Sequence, residues 1–184
     1  WIPNAYIKYP CTPGGLLAAE MSVRQRMRVN MTLCFTQEQA AAVYVATKAT
    51  QAPVYVSPFI GRLDDQGQNG IDLIKNIKRI YESGDGHVQV LAASVRSVPH
   101  LLSVFAAHAE LATVPATVLR KWVTAGRPIE QQDIPSGTGG RAILRGISYR
   151  ALDLNEPWRC FDVSHELTTK GIEAFVADYR NTVA

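Results

Sequence analysis

Five times between Asn4 and Ala125 a short β-type run gives way to an amphipathic helical stretch, and no other feature limits the fold of this chain so much. The runs 4–9, 29–35, 53–59, 88–95 and 111–114 predict strands, and 15–28, 36–49, 71–83, 97–109 and 116–125 predict helices. Ile71, Ile74, Ile77, Ile80 and Tyr81 recur at helical spacing, and Gly84 stops that run. Thr36 with Gln39 forms a capping-box pattern, Ser97 with Pro99 opens the next helix, and Gly126 closes the last. Strand centres about 20 to 37 residues apart predict a parallel sheet with helices outside it. Five units fit either an open doubly wound sheet or part of an eight-stranded barrel. No GxGxxG or GxxxxGKS/T follows any strand, which weakens nucleotide-binding versions. A complete barrel runs to about 250 residues, so in the barrel reading three units precede Trp1.

The 184 residues are near the upper end for one domain, and 47% hydrophobic residues can build a sizeable core. A net charge of +3 gives no basis for broad nucleic-acid binding. No apolar run reaches the length of a membrane span. Cys11, Cys34 and Cys160 are odd in number and form no CxxC, which fits reduced thiols in a cytoplasmic protein. His87, His100, His108 and His165 are scattered with no ligand spacing, so no metal site is expected. Residues 1–126 form one predicted unit, which in the barrel reading is the barrel's C-terminal portion. Residues 127–184 read as an irregular extension and a closing helix over 168–180, packed on the barrel, with Trp158 as an anchor. Ser136–Arg141 reads as a flexible glycine-rich loop.

Lys8 is the outstanding single residue. It lies in Asn4-Ala-Tyr-Ile-Lys-Tyr9, a strand otherwise apolar apart from Asn4. Desolvation there disfavours the ammonium, and the free amine can attack a carbonyl. Strand alternation puts Val29, Met31, Leu33 and Phe35 on one face of the second run, and Asn30, Thr32 and Cys34 on the other. Ser57 falls near the end of the third run with Arg62 close behind, and Ser94 and Arg96 share a face at the end of the fourth. Polar residues on neighbouring strands cost free energy unless they serve one another or a ligand. At strand C-termini they predict a site. Arg62 and Arg96 suit a phosphate, whose oxygens a guanidinium binds in pairs. Their alternative is an ion pair, for instance Arg62 with Asp64 or Asp65. Lys75, Lys78 and Arg79 read as solvated surface.

These segments together resemble the transaldolase family. Ala5-Tyr-Ile-Lys8 followed by Gly15-Leu-Leu-Ala-Ala-Glu20 is similar to its Schiff-base strand and helix. Arg28-Val-Asn30-Met-Thr32-Leu-Cys-Phe35 resembles the following strand. Val56-Ser57-Pro58-Phe59-Ile-Gly61-Arg62 resembles the Ser-Pro-Phe-Val-Gly-Arg segment, and Ala93-Ser94-Val95-Arg96 the phosphate segment. The four motifs stand in the family's order. The resemblance implies a (β/α)8 TIM barrel, of which this chain supplies roughly the last five βα units. It implies class I chemistry with no cofactor. Lys8 would form a Schiff base with a ketose phosphate and pass a dihydroxyacetone unit to an aldose phosphate, as in the pentose phosphate pathway. Asn30 and Ser57 would orient the dihydroxyacetone, Thr32 would position a water, and Arg62, Ser94 and Arg96 would bind phosphate. The implied donors are fructose 6-phosphate and sedoheptulose 7-phosphate, and the acceptors erythrose 4-phosphate and glyceraldehyde 3-phosphate. Phe59 stands where related fructose-6-phosphate aldolases carry Tyr, which favours transfer over free-aldol release.

In the family, an Asp and a Glu that serve as acid and base precede the Schiff-base strand. The expectation is therefore a longer polypeptide whose upstream barrel half, on the same or another chain, carries them. Homo-oligomers are a further expected partnership. Two alternatives stand beside transfer: a fructose-6-phosphate aldolase-type lyase, and a noncatalytic sugar-phosphate-binding fragment completed by a partner.

Overall fold

The computed structural model describes residues 2, 4–129 and 143–183. Its strands are β1 (Ile7–Pro10), β2 (Val29–Cys34), β3 (Val54–Pro58), β4 (Val88–Ala92) and β5 (Leu111–Ala112). Its helices are α1 (Pro13–Arg24), α2 (Gln37–Ala46), α3 (Ile60–Asp65), α4 (Gly70–Tyr81), α5 (Val98–Ala106), α6 (Ala116–Thr124) and α7 (Glu166–Val183). The strands form one sheet in the order β1-β2-β3-β4-β5, with every adjacent pair parallel. A doubly wound sheet reverses its strand order partway. This one never does, and same-handed crossovers then put the connecting helices on a single face. The topology is that of a barrel sector.

Side-chain burial agrees. Val29, Met31, Val54, Val56 and Val90, on the helix-covered face, are fully buried. Asn30, Tyr55, Gln89 and Leu91, which alternate with them, are only partly covered, and Tyr6 stacks on Tyr55 at 4.5 Å between centroids. Ile71, Ile74, Ile77 and Ile80 of α4 are buried, as their period requires. The Thr36–Gln39 capping box forms as the sequence predicts. Thr12, Asn69 and Ser97 cap α1, α4 and α5 through their side-chain oxygens. The short helix α3 was not expected, and its N-cap, Phe59, offers no side-chain hydrogen bond.

The second run departs from simple alternation. Leu33 has φ 57°, and the β2–β3 register shifts between Met31 and Cys34. A left-handed residue with a Cβ costs about 1–2 kcal/mol. It also reverses the order of faces: Leu33 lines a cavity above the strand ends, whereas Cys34 turns into the core. Burial pushes the Cys11 thiol well up, with Cys34 as its interacting neighbour. The expected grouping of Cys34 with Asn30 and Thr32 is therefore corrected.

The extension is a strap. Arg145 exchanges backbone hydrogen bonds with Gly67 and Asn69. Asn76 then donates to the Ile147 carbonyl at 2.8 Å, and Gln37 to the Ser148 carbonyl at 2.9 Å. Lys48 donates to the Leu154 carbonyl at 2.6 Å, and the buried Trp158 reaches Glu20 at 3.2 Å. Arg79 is not plain solvated surface: its guanidinium stacks 3.9 Å above the Tyr149 ring. Lys78 pairs with Glu110. Ser136–Arg141 lies outside the described residues. Among the described residues no helix is long and apolar enough to cross a membrane.

The strap delivers α7 to the ends of β1 and β2, where Gln39 fastens it. Gln39 is fully buried. Its Oε1 accepts from the Phe35 and Thr36 amides at 2.7 and 3.3 Å. Its Nε2 lies 3.2 Å from the Cys11 carbonyl and 3.0 Å from both the Val163 carbonyl and Thr168 Oγ1. Thr168 in turn donates to the Leu33 carbonyl at 2.9 Å. Replacing Gln39 with Leu strands these groups in a dry interior. A loss of about 3 kcal/mol or more is expected from urea unfolding.

At the opposite end of the strands, the Asp85 carboxylate accepts from Tyr44 Oη at 2.9 Å, from the His87 amide at 3.1 Å and from His87 Nδ1. His87 foremost holds its pKa down at about 2. That lies below the unfolded value of about 3.9, so the contribution is complete above roughly pH 4 and is lost as pH falls toward 2. Asp85 is largely exposed, which keeps the effect modest. Melting temperature against pH should fall less steeply between pH 4 and 2 for Asp85→Asn than for the parent.

Candidate functional site

The register of the sheet assembles the polar residues. Lys8 pairs across the strands with Asn30, and Pro10 with Thr32. Ser57, on β3, donates from Oγ to Asn30 Oδ1 at 2.8 Å. With Oδ1 engaged, Asn30 has its two amide N–H donors left to offer. Adjacent strands run about 4.8 Å apart, so amine, carboxamide and hydroxyl sit on three consecutive strands within one small substrate's span.

Lys8 stays accessible at the sheet surface, yet packing around it removes enough water to lower its pKa below the ordinary lysine value. Desolvation is the cause, with no neighbouring cation involved. The same amine is therefore both reachable and easier to deprotonate. It borders a cavity of about 390 Å³. Thr32 and Leu33 line it from the sheet, and Ile172, Phe175 and Tyr179 from α7. Thr32 is 4% exposed and its Oγ1 has no hydrogen-bond partner among the described residues. A buried hydroxyl in that condition costs free energy until a water or ligand meets it.

The two arginines are placed by the ends of β3 and β4. Arg62 is on α3, which starts directly after Phe59, and its guanidinium lies over the Phe59 ring at 5.1 Å. β4 ends at Ala92, so alternation no longer governs Ser94 and Arg96. Ser94 takes φ 64° and lies partly buried, while Arg96 is exposed and pairs with Asp65 at 2.7 Å. The expected Arg62–Asp65 alternative gives way to this pair. Asp64 instead accepts from the Gly70 amide at 3.0 Å, capping the loop before α4.

Gly61 is what allows the approach. A Cβ there would stand 2.1 Å from the Ser94 carbonyl oxygen and 2.7 Å from Arg96 Nε. Arg96 thus crosses bare backbone one residue before Arg62. Because a carbonyl cannot yield as a flexible side chain does, Gly61→Ala should lower stability by about 1–3 kcal/mol. Gly14→Ala, where nothing lies within 4 Å, should cost far less in the same urea titration.

The sequence reading missed α7 as a wall of the cavity. Its apolar side, with Ile172, Phe175, Val176 and Tyr179, was legible, but nothing local told where that side docks. Arg180 lines the same cavity and carried no signal in the sequence. His165 is half-buried and stacks on Phe35 at 5.1 Å, and burial lowers its pKa. Among the described residues no group of His, Cys, Asp and Glu side chains could hold a metal ion.

Comparison with known proteins places the chain in a family. The family model described as transaldolase/fructose-6-phosphate aldolase matches residues 1–184. A probable transaldolase of Maricaulis maris (strain MCS10) is 34% identical over 179 residues, covering 97% of this chain and 62% of the relative. One of Chelativorans sp. (strain BNC1) is 35% identical with the same coverage. One of Phenylobacterium zucineum (strain HLK1) is 42% identical over 118 residues, 64% of this chain and 52% of the relative. The chain thus spans less than two thirds of the length of these relatives. With the family model matched from end to end and the parallel sheet in sequential order, the chain belongs to the transaldolase/fructose-6-phosphate aldolase family.

Proposed function

We propose that the protein transfers a dihydroxyacetone unit between sugar phosphates of the pentose phosphate pathway, with the Lys8 amine as nucleophile. The carrying observation is the register that sets Lys8 beside Asn30, with Asn30 fixed by Ser57, at a cavity holding the unpartnered Thr32 hydroxyl.

The chemistry follows from these groups. The neutral amine of Lys8 adds to the C2 carbonyl of fructose 6-phosphate or sedoheptulose 7-phosphate. Loss of water from the carbinolamine leaves a protonated imine. The C3–C4 bond then breaks, its electron pair moving onto the imine to give an enamine, as the C4 hydroxyl loses its proton. The aldose phosphate leaves. The enamine carbon attacks the carbonyl of erythrose 4-phosphate or glyceraldehyde 3-phosphate, the new alkoxide takes up a proton, and water hydrolyses the imine to free Lys8. The Asn30 amide and the Ser57 hydroxyl orient the hydroxyls of the bound dihydroxyacetone. Thr32 holds the water that the first and last steps release and consume. Arg62, Ser94 and Arg96 take the phosphate. The proton exchanged at the C4 oxygen passes to and from a general base, and among the described residues no carboxylate lines the cavity beside Lys8. Phe59 has no hydroxyl to direct a proton onto the enamine, which favours transfer over the free-aldol lyase.

Borohydride reduction in the presence of fructose 6-phosphate tests this on the full-length protein carrying these residues. A reduced three-carbon adduct is expected on the peptide containing Lys8, and none in Lys8→Arg. Trapping should accelerate with pH and level off below the pH an unperturbed lysine would need, because the amine form grows as pH rises through a lowered pKa. An intact, folded protein that gives no adduct would overturn the proposal.

A further inference from the structure

Arg62 and Arg96 are held by different forces. The Asp65 carboxylate neutralises Arg96. Arg62 has no carboxylate within ion-pair distance among the described residues. Instead its guanidinium carbon lies 5.1 Å from the Phe59 centroid and 5.6 Å from that of Phe175. The two rings are 6.4 Å apart and inclined by 58°. Phe59 comes from the turn between β3 and α3, Phe175 from α7. A third constraint comes from Gly171, one turn before Phe175: Arg62 Nη1 lies only 2.8 Å from where a Cβ on Gly171 would stand. Any other residue there would press on the guanidinium.

Centroids 5.1 and 5.6 Å from the guanidinium carbon and only 6.4 Å from each other put both rings on one side of it, where they attract the cation without neutralising it. A cation so held keeps its full charge and its donors for an anion, unlike one already paired with a carboxylate. Phe175 is 41% exposed, so core packing does not account for its place. It also lines the cavity that Lys8 borders, so one helix touches both that cavity and Arg62.

We propose that Phe175 and Gly171 of α7 are positioning residues, steadying the Arg62 guanidinium from one side and leaving its donors free for a phosphoryl group, so that α7 sets the preference for phosphorylated over unphosphorylated sugars. The inference rests on the sugar-phosphate reading above. It adds that specificity is imposed from the far end of the chain, by a ring that touches the arginine and need not touch the phosphate.

The test compares the parent full-length protein with Phe175→Ala, Phe175→Leu and Phe175→Tyr. For each, kcat/KM is measured with fructose 6-phosphate and with unphosphorylated fructose as donor, and affinity for inorganic phosphate by titration calorimetry. In Phe175→Ala and Phe175→Leu the phosphorylated-to-unphosphorylated ratio should fall about three- to tenfold, carried by KM, with phosphate affinity weakening in step. Phe175→Tyr keeps a ring and should keep the ratio. In an Arg62→Ala background Phe175→Ala should add nothing further. An equal loss toward both sugars, an unchanged ratio with unchanged phosphate affinity, or full additivity with Arg62→Ala would overturn the inference. Should the parent turn over neither sugar while phosphate affinity still tracks the ring, the transfer reading fails and the positioning role stands.

Discussion

The Gln39 carboxamide is the contact on which the upper end of the molecule depends. It is fully buried, and its hydrogen bonds reach the chain after β1, the chain after β2, the start of α2, and the strap and first turn of α7. The backbone groups among them would lose that partner in an apolar interior, whereas Thr168 would keep its bond to the Leu33 carbonyl. The left-handed Leu33 belongs to the same construction. Its strained backbone turns a carbonyl toward Thr168, and the hydroxyl that accepts from Gln39 donates to it. One side chain thereby sets both where the polar strand ends stand and how the last helix lies across them. Lys8 is three residues before Cys11, so its strand is fixed by the same tie.

Electrostatics then divides the site into two regions with different roles. Around Lys8 the controlling effect is desolvation, which favours a neutral amine. Around Arg62 it is aromatic stacking, which retains the cation. Had both groups met carboxylates, the amine would stay protonated and the guanidinium would be neutralised, and neither would suit a carbonyl compound bearing a phosphate. Arg96 shows the contrast: its exposed ion pair with Asp65 has to open before its guanidinium can take a phosphate.

The periodic part of this architecture could be read from the sequence. The isoleucines of α4 and the capping box at Thr36 and Gln39 are local signals, and the elements they specify form. The lateral assembly of Lys8, Asn30 and Ser57 follows from parallel in-register strands once the order is sequential. What could not be read depends on events that leave no local trace. Leucine is not a residue that announces a left-handed backbone, so the exchange of faces between Leu33 and Cys34 is invisible in the alternation. Helix α3 is too short for a periodic pattern and lacks a capping side chain. The choice of Asp65 for Arg96 and not Arg62 depends on how α3 lies against the end of β4, which Gly61 decides by being small. The placement of α7 rests on bonds across 124 to 135 residues of sequence, beyond any window in which a pattern can be counted.

That long-range closure bears on why Arg62 and Lys8 are carried by different kinds of element. On the proposed reading, Lys8 is held within a strand by ladder hydrogen bonds, so carbon–carbon cleavage takes place against a rigid frame. Arg62 sits on a short helix and is steadied from outside by α7. Binding energy at a phosphate remote from the reacting carbon can serve catalysis only if it fixes the carbonyl relative to the amine. A phosphate anchor free to swing would hold the sugar without orienting it. Because one helix both stacks on Arg62 and walls the cavity beside Lys8, the anchor and the reaction centre share a common reference, and grip at one end becomes orientation at the other.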